Sequence, residues 1–261
     1  MIDERLVRAL EGIIRAGGIH HRVCLIGGQA LRDLYHALQA RLGDIPGVRT
    51  SEDLDLLIAV GEDAEADRAL YSHLRDHWDG DPNHGATFRW KEDPEVQLDL
   101  ATTYDAEQPP GKAARITIRG ASRILAYRMI PAWLHAMNLI EPCHGTALRN
   151  IGLERLRHTA LLISKILAVD TCLRELASDR PAAWAQRIDR DLADVLYLTD
   201  RSVRTGLWCA ASTAKRPELR AKLEPITQRI ATAADNPAAS LAAETRERLR
   251  TLVDGLPFWR P

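Results

Sequence analysis

Two aspartates have the type and the spacing to bind a metal ion. Asp53 and Asp55 lie two residues apart at the start of an apolar run that continues to Val60. Side chains two apart on a strand project from the same face, so both carboxylates are directed to one side. Like charges this close raise each other's pKa in apolar surroundings, because holding both carboxylates ionised costs free energy. A divalent cation bound to both removes that cost. Oxygen ligands at this spacing favour Mg²⁺, which keeps water and substrate phosphates as further ligands.

Asp99 is a candidate third carboxylate. It lies between Leu98 and Leu100, where an unpaired charge would be costly. If Asp99 joins Asp53 and Asp55 from a neighbouring strand, the three carboxylates could hold two metal ions for in-line phosphoryl chemistry. Simpler interpretations exist as well: the Asp-x-Asp pair can be a solvated strand edge, and Asp99 can be a hydrogen-bonded polar residue.

A pair of glycines predicts a phosphate-binding turn. Gly27 and Gly28 follow the apolar run 23–26 and precede a helical pattern. A strand-to-helix turn without side chains exposes backbone N–H groups at a helix N-terminus, where the partial positive charge favours phosphate. Arg49 and Ser51 could add donors to a triphosphate. Taken alone, the glycine pair also fits an ordinary tight turn.

Periodicity and turn residues predict the elements that position these groups. In the first half of the chain, the predicted helices cover residues 3–17, 29–41, 63–77 and 122–138. The predicted strands cover residues 23–26, 54–60, 87–90, 96–100 and 114–118, with Pro94 in the turn between the third and the fourth. From residue 150 onward the pattern predicts long helices. The sequence therefore predicts an α+β fold, with a small mixed sheet and flanking helices in a domain 1–145 and an all-helical domain 146–261.

The helical half carries a second set of charged residues. Lys165 lies within a strongly apolar helical stretch, where a lysine can also simply extend its ammonium to solvent. Arg187, Arg190, Asp191 and Asp194 have the spacing i, i+3, i+4 and i+7, which places them on one helical face. Such a face can belong to a reaction centre, or it can be a network of surface ion pairs.

These motifs, in this order, resemble the DNA polymerase β-like nucleotidyltransferase superfamily. Its pattern is a hydrophobic residue with Gly-Gly, a helix, Asp-x-Asp, and a third acidic residue on a later strand. Within it the sequence is most similar to the AbiEii-type toxins of bacterial type IV toxin–antitoxin systems, which include the MenT-like tRNA-modifying toxins. The likeness rests on the run 49–55 (Arg-Thr-Ser-Glu-Asp-Leu-Asp), on Lys165, and on the run 187–194. It spans residues 22–198.

The resemblance implies a role for each residue. Asp53, Asp55 and Asp99 would bind metal, and Arg49 and Ser51 would lie near the triphosphate. Lys165 would contact phosphate or assist the nucleophile, and Asp191 would orient Lys165 or the substrate.

Two departures from the family pattern affect these assignments. The interval from Gly28 to Asp53 is longer than usual, with an insertion around 42–48. Arg190 stands where lysine is commoner, and arginine does not readily act as a base.

The implied reaction transfers a nucleotidyl group from an NTP to an acceptor and releases pyrophosphate. By resemblance the acceptor is a tRNA or another RNA, and a cognate antitoxin is the expected protein partner. Two alternatives are open: a small acceptor such as an aminoglycoside, or a nucleotide-binding protein of the same fold without turnover.

Composition and charge indicate the surroundings in which the protein acts, but they do not identify its substrate. The formal net charge is −1, from 35 basic and 36 acidic residues, so there is no global basic surface for nucleic acid. The four cysteines are scattered, as in a protein with free thiols in a reducing compartment. With no apolar run near the roughly 20 residues of a membrane span, we expect a soluble cytoplasmic protein without a signal peptide.

His73, His77 and His84 could form a metal site, but a solvated helix face is the better interpretation.

Overall fold

The structure is a computed structural model. It describes residues 4–16, 23–42, 53–58, 64–80, 86–105, 113–118, 122–136, 139–176, 180–199, 216–236 and 241–255. Its helices are α1 (Glu4–Arg15), α2 (Gly27–Leu42), α3 (Ala64–His77), α4 (Ala132–Ala136), α5 (Thr146–Asn150), α6 (His158–Glu175), α7 (Pro181–Thr199), α8 (Arg216–Asp235) and α9 (Ala243–Gly255). Its strands are β1 (Val23–Ile26), β2 (Leu54–Ile58), β3 (Trp78–Gly80), β4 (Thr87–Trp90), β5 (Asp93–Tyr104), β6 (Ala113–Ile118), β7 (Ser122–Pro131), β8 (Ile140–Pro142) and β9 (Glu154–Leu156).

The described strands form one mixed sheet in the order β3-β4-β5-β2-β1-β9-β8. Strand β2 pairs antiparallel with β1 and parallel with β5. On its other edge, β5 pairs first with β4 and then, farther along, with β7, which also pairs with β6. The α+β class with a mixed sheet followed by helices is therefore confirmed, although the sheet has nine strands in the described part of the chain.

The predicted helix from Ser122 to Asn138 is wrong. Residues 122–131 form strand β7, and only the short helix α4 follows it. This segment contains good helix formers, so its local preference does not decide between helix and strand. It is a strand because β5 and β6 supply hydrogen-bonding partners on its two edges. The short strands β8 and β9 were also missed, and Pro94 lies inside β5, not in the turn before it.

The core of the sheet lies around its central strands. Leu25, Leu56, Leu98 and Leu100 are fully buried, and all four residues of β1 are buried. Strands buried on both faces explain the continuous apolar runs in the sequence, since apolar and polar residues would alternate along the strands of a sheet with one solvated face.

The chain divides into two compact units, residues 1–40 with 47–161 and residues 41–46 with 162–261. The division falls within helix α6, after the domain boundary predicted at residues 145–146. In the second unit, Asp170 of α6 accepts two hydrogen bonds from Arg229 of α8, at 2.8 and 2.9 Å. Within the described residues, no helix combines the length and the apolar composition needed to cross a bilayer.

Candidate functional site

The register of the sheet places two of the predicted carboxylates side by side. Asp55 on β2 is the direct partner of Asp99 on the parallel strand β5. On its other side, Asp55 is opposite Ile26, the last residue of β1. Residues opposite one another on neighbouring strands share a face, so Asp55 and Asp99 lie on the same face of the sheet. Both side chains are half-buried.

Gly27 gives the Asp55 carboxylate the space that it occupies. The backbone of Gly27 has a φ of +63°, in the left-handed region that favours glycine. A Cβ at this position would lie 1.9 Å from Oδ2 of Asp55 and 2.7 Å from its Cγ. Helix α2 begins at Gly27, so the carboxylate lies beside a helix N-terminus, whose partial positive charge stabilises it. Gly28 is buried in the first turn of the helix.

Asp53 completes the Asp-x-Asp pair from outside the regular strand. It is exposed and precedes Leu54, where β2 begins. Among the described residues, no group of three or more His, Cys, Asp or Glu side chains is gathered closely enough to hold a metal ion. The structure thus brings Asp55 and Asp99 onto neighbouring strands but does not gather all three aspartates into one such group.

On the opposite edge of β5, one hydroxyl group contacts the Asp99 side chain and a second lies next to the first. Thr87 of β4 is the cross-strand partner of Asp99, and its hydroxyl donates a hydrogen bond of 2.5 Å to Oδ1 of Asp99. Tyr127 of β7 is the partner of Ala101, two residues along the same face. Its hydroxyl lies 3.4 Å from that of Thr87. Neither residue is predicted by the sequence pattern, because only the strand register brings them together.

The same face of β4 carries a cation that no sequence motif indicates. Arg89 follows Thr87 by two residues, is exposed, and is the cross-strand partner of Gln97. The predicted triphosphate contacts Arg49 and Ser51 lie outside the described residues.

In the second unit, Lys165 is held between two carboxylates. Its ammonium lies 3.1 Å from Oδ1 of Asp191 and 2.8 Å from Oδ2 of Asp194. All three residues are buried, at 8%, 4% and 2% exposure. The interpretation of Asp191 and Asp194 as members of a surface network is therefore wrong. A lysine with two buried carboxylates is a strong positional constraint between α6 and α7.

Arg187 and Arg190 differ from the two aspartates of their motif by being exposed. The Arg187 guanidinium lies 6.0 Å from the centre of the Trp184 ring and 4.0 Å from Oδ2 of Asp191. At these distances the arginine makes only weak contacts, so its charge is available at the surface of α7.

A cleft of about 420 Å³ in the first unit is separate from the aspartates and lined by Arg8, Arg15, His73, His77 and Trp90, with four other residues. Arg15 and His77 end helices α1 and α3, where positive charge complements the helix dipole. Burial lowers the pKa of His73, and the adjacent His77 lowers it further. His84 lies outside the described residues. Their position at the helix ends explains Arg15 and His77 without a ligand.

A buried ion pair anchors helix α2. The Arg155 Nε donates a 2.7 Å hydrogen bond to Oδ2 of Asp33, and both side chains are fully buried. The Asp33 carboxylate also accepts the backbone N–H groups of His144 and Gly145, at 2.8 and 2.7 Å. This network joins α2 to β9 and to the start of α5, and thereby holds the helix that begins at Gly27.

No protein-family model matches the chain, and no curated protein matches it. Among solved structures, it is similar to an antigenic nucleotidyltransferase-like protein from Paracoccidioides brasiliensis. The identity is 14% over 86% of this chain and 92% of that chain, with a TM-score of 0.30. A TM-score this low assigns neither a fold nor an activity, so the function is inferred from the residues themselves.

Proposed function

We propose that the chain is a metal-dependent nucleotidyltransferase that transfers a nucleoside monophosphate from an NTP to an acceptor hydroxyl. The observation that carries this proposal is the placement of Asp55 beside Asp99 on adjacent parallel strands, with Gly27 leaving room for the Asp55 carboxylate. Two half-buried like charges on one face repel each other, which is unfavourable. A cation bound between the carboxylate pair and a triphosphate offsets this repulsion.

The side chains present fit a hard divalent cation. Asp53, Asp55 and Asp99 offer carboxylate oxygens only, the ligand type that Mg²⁺ prefers. Asp53 is exposed, so its carboxylate is not fixed by packing. Asp53 and Asp55 would hold the ion, with Asp99 as the third carboxylate. When bound, the ion neutralises phosphate charge and activates the attacking hydroxyl.

The protein's own groups bind and orient the reactants. The acceptor oxygen forms a bond to the α-phosphorus, the bond from that phosphorus to the bridging oxygen breaks, and pyrophosphate leaves. Arg89 of β4 lies on the face of the sheet that carries Asp55 and Asp99, and we assign it a phosphate contact. By the resemblance, Arg49 and Ser51 add further phosphate contacts.

For the acceptor, we propose a tRNA or another RNA, in a cytoplasmic type IV toxin that a cognate antitoxin restrains. The neighbours of Asp99 on β4 and β7 are the hydroxyls of Thr87 and Tyr127, with Arg89 beyond them, and not further carboxylates. This composition suits an anionic acceptor better than a cationic aminoglycoside.

Incorporation of α-labelled NTPs into total RNA tests the proposal. We expect transfer that requires Mg²⁺ and that falls by at least about 100-fold in Asp53→Ala and Asp55→Asn, since each loses a carboxylate of the metal site. Asp105→Asn, which changes an exposed aspartate after the end of β5, is the matched control and should transfer normally. Absence of transfer by the wild type, or equal transfer by Asp55→Asn, would contradict the proposal.

Thermal unfolding gives a readout without turnover. Saturating Mg²⁺ with a non-hydrolysable NTP should raise the melting temperature of the wild type, because ligands that bind only the folded state stabilise it. Asp55→Asn should show little of this increase, and Asp105→Asn all of it. The same increase in every variant would place the metal elsewhere.

A further inference from the structure

We propose that Thr87 and Tyr127 are positioning residues for Asp99, acting as a relay in which Tyr127 donates to Thr87 and Thr87 donates to Asp99. The inference rests on the proposed function, because it assigns these hydroxyls to the same carboxylate site. It concerns residues that do not themselves contact the metal or the NTP.

Hydrogen-bond chemistry fixes the direction of the relay. In the ionised form that binds a metal, the Asp99 carboxylate can only accept, so the 2.5 Å hydrogen bond uses the single proton of the Thr87 hydroxyl. The Thr87 oxygen can then only accept from a further partner. Tyr127, whose hydroxyl lies 3.4 Å away, is therefore the donor in that contact. The chain of donors ends on Oδ1 of Asp99.

The strand arrangement explains why the relay forms at this point. Strand β4 begins at Thr87, opposite Asp99, and the backbone of Leu100 donates a 3.0 Å hydrogen bond to Ala86 just before it. Strand β7 takes over the same edge of β5 at Tyr127, opposite Ala101. The side chains of two separate strands therefore meet beside Asp99, on the face that also carries Asp55.

The relay opposes a specific repulsion. Asp55 and Asp99 are direct partners on adjacent strands, and when both are ionised their charges repel each other. A hydrogen bond of 2.5 Å from a hydroxyl to a carboxylate is in the short, charge-assisted range. Thr87 is only 5% exposed, so this bond is shielded from water. The carboxylate of Asp99 is thus held in place before any cation arrives.

Substitutions at the two hydroxyls give distinct expectations. Thr87→Val keeps the shape of the side chain and removes the hydroxyl, and should lower kcat by about 10- to 100-fold with a smaller change in KM for the NTP. Thr87→Ser keeps the hydroxyl and should retain most of the wild-type activity that Thr87→Val loses. Tyr127→Phe should have a smaller effect. Since Tyr127 acts through Thr87, adding Tyr127→Phe to Thr87→Val should produce little further loss.

Manganese titration followed by water-proton relaxation adds a measurement that needs no turnover. Thr87→Val should weaken Mn²⁺ binding about 10-fold or more, and Thr87→Ser should bind as the wild type does. Thr227→Val, which removes another buried threonine hydroxyl in the second unit, is the control for loss of such a group and should leave both measurements unchanged.

The outcomes separate the inference from the proposed function. Wild-type transfer and Mn²⁺ affinity retained in Thr87→Val would overturn the relay and leave nucleotidyl transfer standing. A wild type without transfer whose Mn²⁺ affinity still depends on Thr87 would overturn the function and keep the relay. Additive losses from Thr87→Val and Tyr127→Phe would overturn the serial order, and a wild type that neither transfers nor binds Mn²⁺ would overturn both proposals.

Discussion

The carboxylate of Asp55 occupies the space that a side chain on Gly27 would need, with Oδ2 only 1.9 Å from the position of a Cβ there. The two residues lie on different elements, and the end of β1 brings them together because Ile26 is the cross-strand partner of Asp55. A glycine is thus required both by the left-handed backbone and by the aspartate opposite.

Gly27→Ala should therefore damage both stability and activity. A left-handed alanine costs about 1–2 kcal/mol, and overpacking adds about 1–3 kcal/mol. Urea unfolding measures the loss. Gly152→Ala is the control, since Gly152 has a φ of +76° but is exposed in a turn, so it tests backbone strain alone. Adding Asp55→Ala to Gly27→Ala should recover part of the stability, and no recovery would mean that the aspartate is not the obstacle.

Replacing Lys165 by methionine should destabilise the second unit. Asp191 and Asp194 would then be two buried carboxylates without their shared cation, and breaking a buried pair costs about 3–5 kcal/mol. The triple variant Lys165→Met with Asp191→Asn and Asp194→Asn removes the stranded charges and should regain much of the melting temperature. A stable Lys165→Met protein that has lost only NTP transfer would instead indicate a purely catalytic lysine.

Removing either partner of the Asp33–Arg155 pair should unfold the protein at lower urea. Asp33→Asn and Arg155→Met each leave a buried charge, with an expected cost of about 3–5 kcal/mol. A variant with both changes should lose less than the sum, because neither Asp33 nor Arg155 then remains as a buried charge without the other. Additive losses would show that the two side chains are not coupled.

Stability should fall as the pH falls below about 6.5, the pKa of histidine in an unfolded chain. Burial, and then His77, lowers the pKa of His73, so the unfolded chain binds more protons than the folded one in this range. The stabilisation linked to the lowered pKa of His73 is fully present above pH 6.5, and it is lost as the pH falls toward the pKa of His73 in the folded protein. Melting temperatures from pH 7.5 to 5.5 should depend less on pH in His73→Gln than in the wild type. His135→Gln, at an exposed position, is the control, and equal slopes in both variants would exclude His73 as the source.

The sequence predicted the parts of the site that depend on local patterns. A short apolar run, two glycines and an amphipathic segment specify β1 and α2, and the Asp-x-Asp pair marks the start of β2. It also predicted a strand at residues 96–100, which carries Asp99. These features need no knowledge of distant partners.

The relay and the buried ion pair depend on register, which local patterns do not contain. Thr87 meets Asp99 through an antiparallel hairpin, and Tyr127 joins them only because β7 is a strand. Asp33 and Arg155 are 122 residues apart in the sequence. The incorrect helix at 122–138 had hidden Tyr127, since the residues of β7 are compatible with either structure until their neighbours are known.

The pairing of β1 with β9 determines where the chain can be cut. Strand β1 is synthesised well before one of its two partners, which is formed by residues 154–156. A fragment that ends at residue 145 would leave that edge of β1 without its neighbour, and an open edge of buried, apolar residues invites pairing with other molecules. Truncation there should give aggregates, and the first unit becomes complete only once the beginning of α6 has emerged from the ribosome.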